Sequence, residues 1–204
     1  MNLRNYLVLP ETYKEHCANV YKRYQQLYTD PDHCVPMIVI NTSAAVQCPP
    51  IEEQLENPYE MLKAQLDLIR PHIEIMDDTV PTIRVEFGTG QVASAFGCEL
   101  ATPTNSLPAV SSHAIKSIDD IYKIEMPSLD SGCYKKLKEY TDVFIENLPD
   151  GVHIQHPDIQ SPFNNAHLIR GDEIFLDFYD NPEAVDLLLE KVTNYMIKLT
   201  PYLK

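Results

Sequence analysis

The stretch DIQSPFNNAHLIRGDEIFLDFYDNP, residues 158–182, decides how this chain folds. A short apolar run leads into it, a Ser-Pro turn opens a polar loop, and an Arg-Gly pair precedes an Asn-Pro helix start. From Pro182 an amphipathic helix is predicted to continue to about Leu203, with one apolar stripe for core packing. A strand, an elaborated loop and a helix in this order are typical of parallel α/β folds, which build their sites in such loops.

The rest of the chain follows the same alternation of strands and helices. Short apolar runs rich in β-branched residues predict strands at 35–40, 81–87 and 152–159. Helical spacing and Asn-Pro or turn signals predict helices at 11–28, from 58 to a stop or kink at Pro71, at 118–124, and at 134–148. No adjacent hairpin pair is expected, so parallel strands joined by helical crossovers fit best.

Composition restricts the classes of function. The chain has 204 residues, enough for one domain, and 30 acidic against 16 basic side chains give a formal net charge of −14. This balance disfavours nucleic acid and anionic membrane surfaces as partners, although a local arginine pocket for an anionic substrate remains open. The five cysteines are scattered, which indicates reduced thiols, and no signal or membrane segment is present in the sequence. We therefore expect a soluble, cytoplasmic protein.

The first two predicted strands carry polar residues in places where chemistry is expected. Asn41 follows the first strand at its C-terminal end. Arg84 and Glu86 alternate along the second strand and should share one face. Because charges are costly inside a parallel sheet, the pair is either substrate-facing or a structural ion pair.

The third predicted strand ends in a polar cluster. His156, Asp158 and Gln160 alternate and should therefore face the same side, at the strand end where parallel folds place their sites. His153 should face the other way, so that a metal pair of His153 and His156 is poorly aimed. We expect the cluster to contact substrate.

Two further motifs allow more than one interpretation. Gly88-Thr89-Gly90 is either a tight turn that lets the backbone approach a ligand or a phosphate cradle, and it lacks the Gly-Lys-Ser/Thr ending of a P-loop. Arg170, before Gly171, could bind a carboxylate through two hydrogen bonds, or it could be a solvated arginine at a helix end.

Four segments together resemble one family. They are VASAFGCEL at 92–100, DIQSPF at 158–163, LIRG at 168–171 and FYDNPEAVDLLLEKVTNY at 178–195. Their combination is similar to the uroporphyrinogen decarboxylase superfamily, which also contains cobalamin-dependent methyltransferases and demethylases, and the similarity runs from about residue 57 to 204. The resemblance implies a (β/α)₈ TIM-type barrel with its site at the C-terminal ends of the strands. It further implies that residues 1–204 are the N-terminal part of such a barrel, its front three to four βα units, with the last helix still running where the sequence stops.

Two departures from the family pattern bear on activity. Uroporphyrinogen decarboxylases have an arginine-rich N-terminal segment for the substrate's carboxylates, whereas residues 37–50, MIVINTSAAVQCPP, contain no arginine. They also have an aspartate after the next strand, where an ungapped count places Gly88, with Glu86 as the nearest carboxylate. Both differences favour the methyltransferase-like branch. That branch implies zinc and a corrinoid in a full-length protein, but this chain lacks the His-x-Cys zinc motif and we expect no metal ligand or cofactor in it.

Two hypotheses follow. In the first, the chain is part of an enzyme that acts on a methylated small molecule or corrinoid, with porphyrinogen decarboxylation as the alternative and no activity expected from the fragment alone. Its partners would be a small-molecule substrate and a corrinoid protein. In the second, a split or truncated chain binds a complementing chain or forms a homo-oligomer, and it exposes apolar flanks. The enzyme hypothesis assigns catalysis to Glu86 and Asp158, which should line one cavity with Arg84 and Gln160. It assigns substrate binding to Asn41, Arg84, Gly88, Thr89, His156, Gln160 and Arg170.

Overall fold

A computed structural model describes residues 2–203 and shows a helix-rich α/β protein. The chain divides into two compact units, with boundaries after residues 84, 141 and 155, and only the second boundary falls inside a helix. The first unit comprises residues 2–84 and Asp142–Gln155, and the second comprises Val85–Thr141 and residues 156–203.

The regular elements are mostly helices. The helices are α1 Glu11–Thr29, α2 Ile51–Glu56, α3 Pro58–Ile75, α4 Gln91–Ala95, α5 Ile118–Lys123, α6 Tyr134–Asn147, α7 Pro162–Arg170, α8 Ile174–Asp180 and α9 Pro182–Tyr202. The strands are β1 Thr82–Ile83, β2 Glu99–Ala101, β3 Ala109–Ser112 and β4 His153–Ile154. The helices predicted from sequence are confirmed, except that α3 continues past Pro71 to Ile75.

The first unit is built around a parallel strand pair and two long helices. Thr82 pairs with His153 and Ile83 with Ile154, so β1 and β4 form the parallel arrangement that the sequence predicts. The α1 helix buries Tyr13, Cys17 and Val20. In α3, Asn57 caps the first turn by accepting a hydrogen bond from the Tyr59 N–H, and apolar side chains at helical spacing face the core.

The predicted strand at residues 35–40 is wrong, because this segment pairs with no strand among residues 2–203. Its alternate N–H groups instead donate to carboxylates: Ile38 to Asp78 Oδ2 and Ile40 to Asp77 Oδ2, each at 2.8 Å. The Ile38 carbonyl accepts from the Asp78 N–H at 2.8 Å. Two consecutive aspartates thus hold an extended segment in place of a β-ladder, and they leave Ile38 and Val39 65% and 59% exposed.

The other two predicted strands are shorter than expected. The pairing ends at Ile83 in one and at Ile154 in the other, although the Gln155 N–H still donates to the Ile83 carbonyl at 2.7 Å. Residues 84–87 and 156–159 continue as irregular chain. Polar residues predicted to lie on strand faces therefore lie on loops.

The second unit is organised by α9, which packs against α5, α7 and α8. Its buried stripe includes Val185, Leu188, Val192 and Leu199, as predicted, and Tyr195 meets Phe96 edge to face at 5.3 Å. The expectation of no hairpin is wrong: β2 and β3 form an antiparallel pair with an irregularity after Glu99. The Pro- and Ser-rich composition of this region hides the strand pattern, since both strands are short and at most half-buried.

Two bounds drawn from composition can be compared with the structure. All five cysteines are free thiols. Within residues 2–203, no helix combines the length and the apolar character that crossing a membrane requires.

Candidate functional site at the loops of the second unit

The loop that follows β4 is fixed by its own polar side chains. The Gln160 N–H donates to Asp158 Oδ1 at 3.0 Å, and Gln160 Oε1 accepts from Asn164 Nδ2 at 3.1 Å. Ser161 caps α7 by accepting the Asn164 N–H at 3.2 Å. Gln160 has φ +54°, a left-handed conformation that few residues other than glycine adopt. The loop therefore holds the half-buried Asp158 carboxylate in one position.

The side chain of Asn165 holds this loop through hydrogen bonds. Its side chain is fully buried, and its Nδ2 donates to the Ile159 carbonyl at 2.7 Å and to the Ser161 carbonyl at 2.9 Å. Sequence reasoning did not single out Asn165. The signal that could have found it is a polar residue four positions after the Ser161 cap, on the face of α7 that the apolar pattern assigns to the core.

The loop that follows β1 positions a second carboxylate. Glu86 is half-buried, and its Oε1 accepts the Gly88 N–H at 3.0 Å. Gln91 is fully buried at the start of α4, and its Nε2 donates to the Gly88 carbonyl at 3.1 Å. Both polar groups of the Gly88 backbone are thus engaged by side chains, while Thr89 is exposed. The sequence search missed Gln91, although it directly follows the glycine motif.

The glycines of this loop are required by protein packing. Gly88 has φ +74°, and a Cβ there would lie 2.2 Å from the carbonyl oxygen of Pro108. A Cβ on Gly90 would lie 2.7 Å from Leu100 Cδ2. The hairpin of β2 and β3 therefore closes over the loop, and the backbone that approaches the glycines belongs to the protein. With its Gly88 N–H already bound to Glu86, the motif is a poor phosphate cradle.

Arg170 lies in a buried ion pair. Its Nε donates to Asp177 Oδ2 at 2.7 Å, and each side chain is only 8% exposed. The interpretation of Arg170 as a solvated helix-end residue is therefore wrong. The carboxylate that it demonstrably binds comes from α8 of the same unit, so its predicted contact with substrate stays a prediction.

Of the remaining predicted residues, two lie in the first unit. Asn41 is exposed and accepts hydrogen bonds from the N–H and the hydroxyl of Ser43, at 3.0 and 2.7 Å, which closes a local turn. The Gln65 side chain makes two hydrogen bonds with the Arg84 backbone. Its Nε2 donates to the Arg84 carbonyl, and its Oε1 accepts the Arg84 N–H at 2.8 Å. That Arg84 shares a cavity with the carboxylates of the second unit stays a prediction.

The shared face predicted for His156, Asp158 and Gln160 does not arise from strand alternation. The β-ladder ends at Ile154, and the left-handed backbone at Gln160 interrupts any regular alternation. His156 is exposed, and its Nδ1 lies 2.9 Å from the Pro157 carbonyl oxygen. Among residues 2–203, no group of three or more His, Cys, Asp or Glu side chains converges to hold a metal ion. The zinc ligands that the family resemblance implies for a full-length protein are not assigned to any of these residues.

The first unit contains a hydrogen-bonded chain of Thr42, His72 and Asp77. Thr42 Oγ1 lies 3.1 Å from His72 Nε2, and His72 Nδ1 lies 3.0 Å from both oxygens of Asp77. The order of groups matches that of a nucleophile, base and carboxylate. All three residues are at most 8% exposed. Asp77 also accepts hydrogen bonds from the N–H groups of Ile40 and Thr79. These hydrogen-bonded side chains therefore anchor the 35–40 segment.

Stability of the first unit should depend on pH through Asp77. Burial raises the pKa of this carboxyl, but hydrogen bonds from Ile40, Thr79 and His72 outweigh burial and place the pKa below its ordinary value. A lowered folded-state pKa stabilises the fold above the unfolded pKa, and the contribution is lost as pH falls through the folded pKa. We expect urea-unfolding midpoints to fall between about pH 5 and pH 2, and Asp77→Asn to be less stable at pH 7 with a flatter profile.

The exposed Asp32 provides the matched control for this experiment. Asp32→Asn should reproduce the wild-type profile. An Asp77→Asn profile parallel to that of the wild type would show that the carboxylate does not carry the pH dependence.

The fold and these loops together define a class of protein. A parallel strand pair with crossover helices, and carboxylates fixed on the loops after the strands, are typical of parallel α/β folds, which as a class bind ligands at the C-terminal ends of their strands. The uroporphyrinogen decarboxylase (URO-D) family model matches residues 51–203. The chain belongs to this family.

Two similar proteins are methyltransferases by name. Methylcobamide:CoM methyltransferase MtbA of Methanosarcina mazei is 28% identical over 116 residues, which are 56% of this chain and 34% of that protein. A solved methyltransferase from Methanosarcina mazei has a similar fold, with a TM-score of 0.61 at 16% identity over 88% of this chain and 54% of that one. The chain thus spans about a third of the length of the first relative and about half of the second.

Proposed function

We propose that this chain supplies the front substrate-binding loops of a barrel enzyme that acts on a methylated corrinoid, in the methyltransferase-like branch of its family. The observation that carries the proposal is the sequence similarity to a methylcobamide:CoM methyltransferase over 116 residues of this chain. In this proposal Glu86 and Asp158 are the catalytic carboxylates. Thr89, His156 and Gln160 contact the substrate beside them.

The charge of the loops supports a corrinoid over a porphyrinogen. A corrinoid presents neutral amide side chains, whose N–H groups are donors for half-buried carboxylates such as Glu86 and Asp158. A porphyrinogen presents carboxylates, which two fixed carboxylates would repel. Residues 37–50 contain no arginine for the carboxylates of a porphyrinogen, and the chain has a net charge of −14. Porphyrinogen decarboxylation therefore remains the less favoured alternative.

The roles open to the two carboxylates follow from their hydrogen bonds. Each carboxylate accepts one backbone N–H, from Gly88 or Gln160, and this hydrogen bond orients the group. Such a carboxylate can accept a hydrogen bond from substrate or hold a proton beside it. The zinc-bound thiol chemistry of the wider branch is not assigned to any described residue.

Binding of methylcobalamin tests the proposal. We expect the full chain to bind methylcobalamin in calorimetry, and Asp158→Asn and Glu86→Gln each to weaken binding by about tenfold, as loss of a charge-assisted hydrogen bond does. Asp172→Asn is the control, because that carboxylate is 92% exposed and lies outside both loops. Equal affinity in all four proteins would contradict the assignment of the two carboxylates.

A further inference from the structure

The α8 helix buries a charged side chain and exposes several large apolar ones. Its Asp177 is buried at 5% exposure, whereas four large apolar side chains on the same seven-residue helix face solvent. Their exposures are 50% for Phe175, 65% for Leu176, 41% for Phe178 and 89% for Tyr179. Single exposed apolar residues are ordinary, but four on one short helix form a contiguous patch of the kind that marks an interaction site.

Aromatic contacts join this patch to α7. Phe163 lies 6.1 Å from Phe175 and 5.9 Å from Phe178, measured between ring centroids, and His167 lies 5.2 Å from Phe175. The cluster is therefore preordered, so that a partner would find rigid rings with little side-chain entropy left to lose. We define the aromatic face by these residues: Phe163, His167, Phe175, Leu176, Phe178 and Tyr179.

The surroundings of the aromatic face are acidic. Residues 171–190 contain seven Asp or Glu side chains and no Lys, Arg or His. Asp177 is neutralised by Arg170, and the exposed Asp172 is hydrogen-bonded to His167 at 2.8 Å, which places a carboxylate at the edge of the cluster. Asp180 ends the α8 helix, Glu183 lies in the first turn of α9, and both are exposed.

We propose that the aromatic face docks a protein partner whose contact surface has apolar side chains bordered by lysine or arginine. Charge complementarity selects this occupant, since a basic border would pair with the exposed carboxylates around the rings. A second copy of this chain would bring two acidic borders together, which costs free energy. An anionic membrane is disfavoured for the same reason. Aromatic anchors with a charged rim are the usual arrangement of a protein interface.

The experiment uses the full chain and two defined peptides. One is an amphipathic helical peptide of leucine and lysine, and the other has glutamate in place of lysine. We expect the lysine peptide to bind and the glutamate peptide not to bind. Leu176→Ser/Tyr179→Ser should weaken binding of the lysine peptide at least about tenfold, as loss of central contacts does. Asp180→Asn/Glu183→Gln should weaken it and reduce its dependence on salt.

The control variant is Ile197→Ser on α9, whose side chain is 64% exposed and outside the aromatic face. It should bind the lysine peptide like the wild type. All variants replace exposed side chains, and circular dichroism with urea-unfolding midpoints will verify that each is folded.

Five outcomes would overturn the proposal. If every variant binds the lysine peptide equally, the attraction is nonspecific charge. If the lysine peptide does not bind, or both peptides bind alike, charge does not select the partner. If sedimentation shows a dimer that Leu176→Ser/Tyr179→Ser abolishes, the occupant is a second copy. If neutral phosphatidylcholine vesicles bind through the same residues, the face is a membrane contact.

Discussion

Replacing Gly88 by alanine is expected to destabilise the second unit by about 3 kcal/mol or more. Two costs combine at this position. The left-handed φ of +74° disfavours any residue with a Cβ, by roughly 1–2 kcal/mol. The added Cβ would also lie 2.2 Å from a backbone oxygen, that of Pro108, so the β2–β3 hairpin has to move. Urea unfolding followed by circular dichroism measures the loss.

Gly97→Ala is the matched control. Gly97 also has a positive φ, +96°, but a Cβ there would meet nothing closer than 4.0 Å. It should show only the conformational cost, and the difference between the two variants isolates the hairpin contact. Equal losses in the two variants would show that the hairpin does not close over the Gly88 loop.

Replacing Asp177 by asparagine should cost the second unit about 3–5 kcal/mol. The substitution keeps the shape of the side chain but leaves the Arg170 guanidinium buried without its counter-charge. An uncompensated buried charge is among the most destabilising changes that a single substitution can make. Urea unfolding again gives the measurement.

Asp172→Asn provides the comparison, being the same substitution five residues earlier. Asp172 pairs with His167, but its side chain is 92% exposed, and exposed pairs contribute little to stability. A double replacement, Arg170→Met/Asp177→Leu, should recover much of the stability, because it removes both charges together. Similar losses for Asp177→Asn and Asp172→Asn would argue that the pair is not buried.

Helices were predictable from sequence because their signals are local. Asn57-Pro58 and Asn181-Pro182 mark helix starts that the structure confirms, and the apolar stripe of α9 lies in the core as its spacing predicts. The exception within α3 is Pro71, which the helix accommodates before ending at Ile75, where Met76 forms the C-cap with φ +55°.

Strands were less predictable because pairing depends on distant residues. The run at residues 35–40 has strong β-propensity, yet Asp77 and Asp78 bind its N–H groups, and nothing within the run indicates this. The β2–β3 hairpin was missed for the opposite reason, since its strands are short and weakly patterned.

The candidate site was predicted in part. Sequence placed Glu86 and Asp158 near the ends of strands, and the structure shows each carboxylate fixed by a backbone N–H two residues later. The sequence did not show which polar residues are buried. Arg170 forms a buried ion pair with Asp177, and the buried side chains of Gln91 and Asn165 hold the two loops through hydrogen bonds. Residues 35–40 include exposed apolar side chains, and binding of a complementing chain stays a prediction.

The proposal that the site binds a corrinoid rather than a porphyrinogen is tested by competition between methylcobalamin and uroporphyrin. The competition is measured by calorimetry on the wild-type chain and on Asp158→Asn. The corrinoid proposal predicts that methylcobalamin binds and that uroporphyrin does not displace it. It also predicts that Asp158→Asn weakens the binding of methylcobalamin alone by about tenfold. Preferential binding of uroporphyrin, or methylcobalamin affinity that is unchanged in Asp158→Asn, would contradict it.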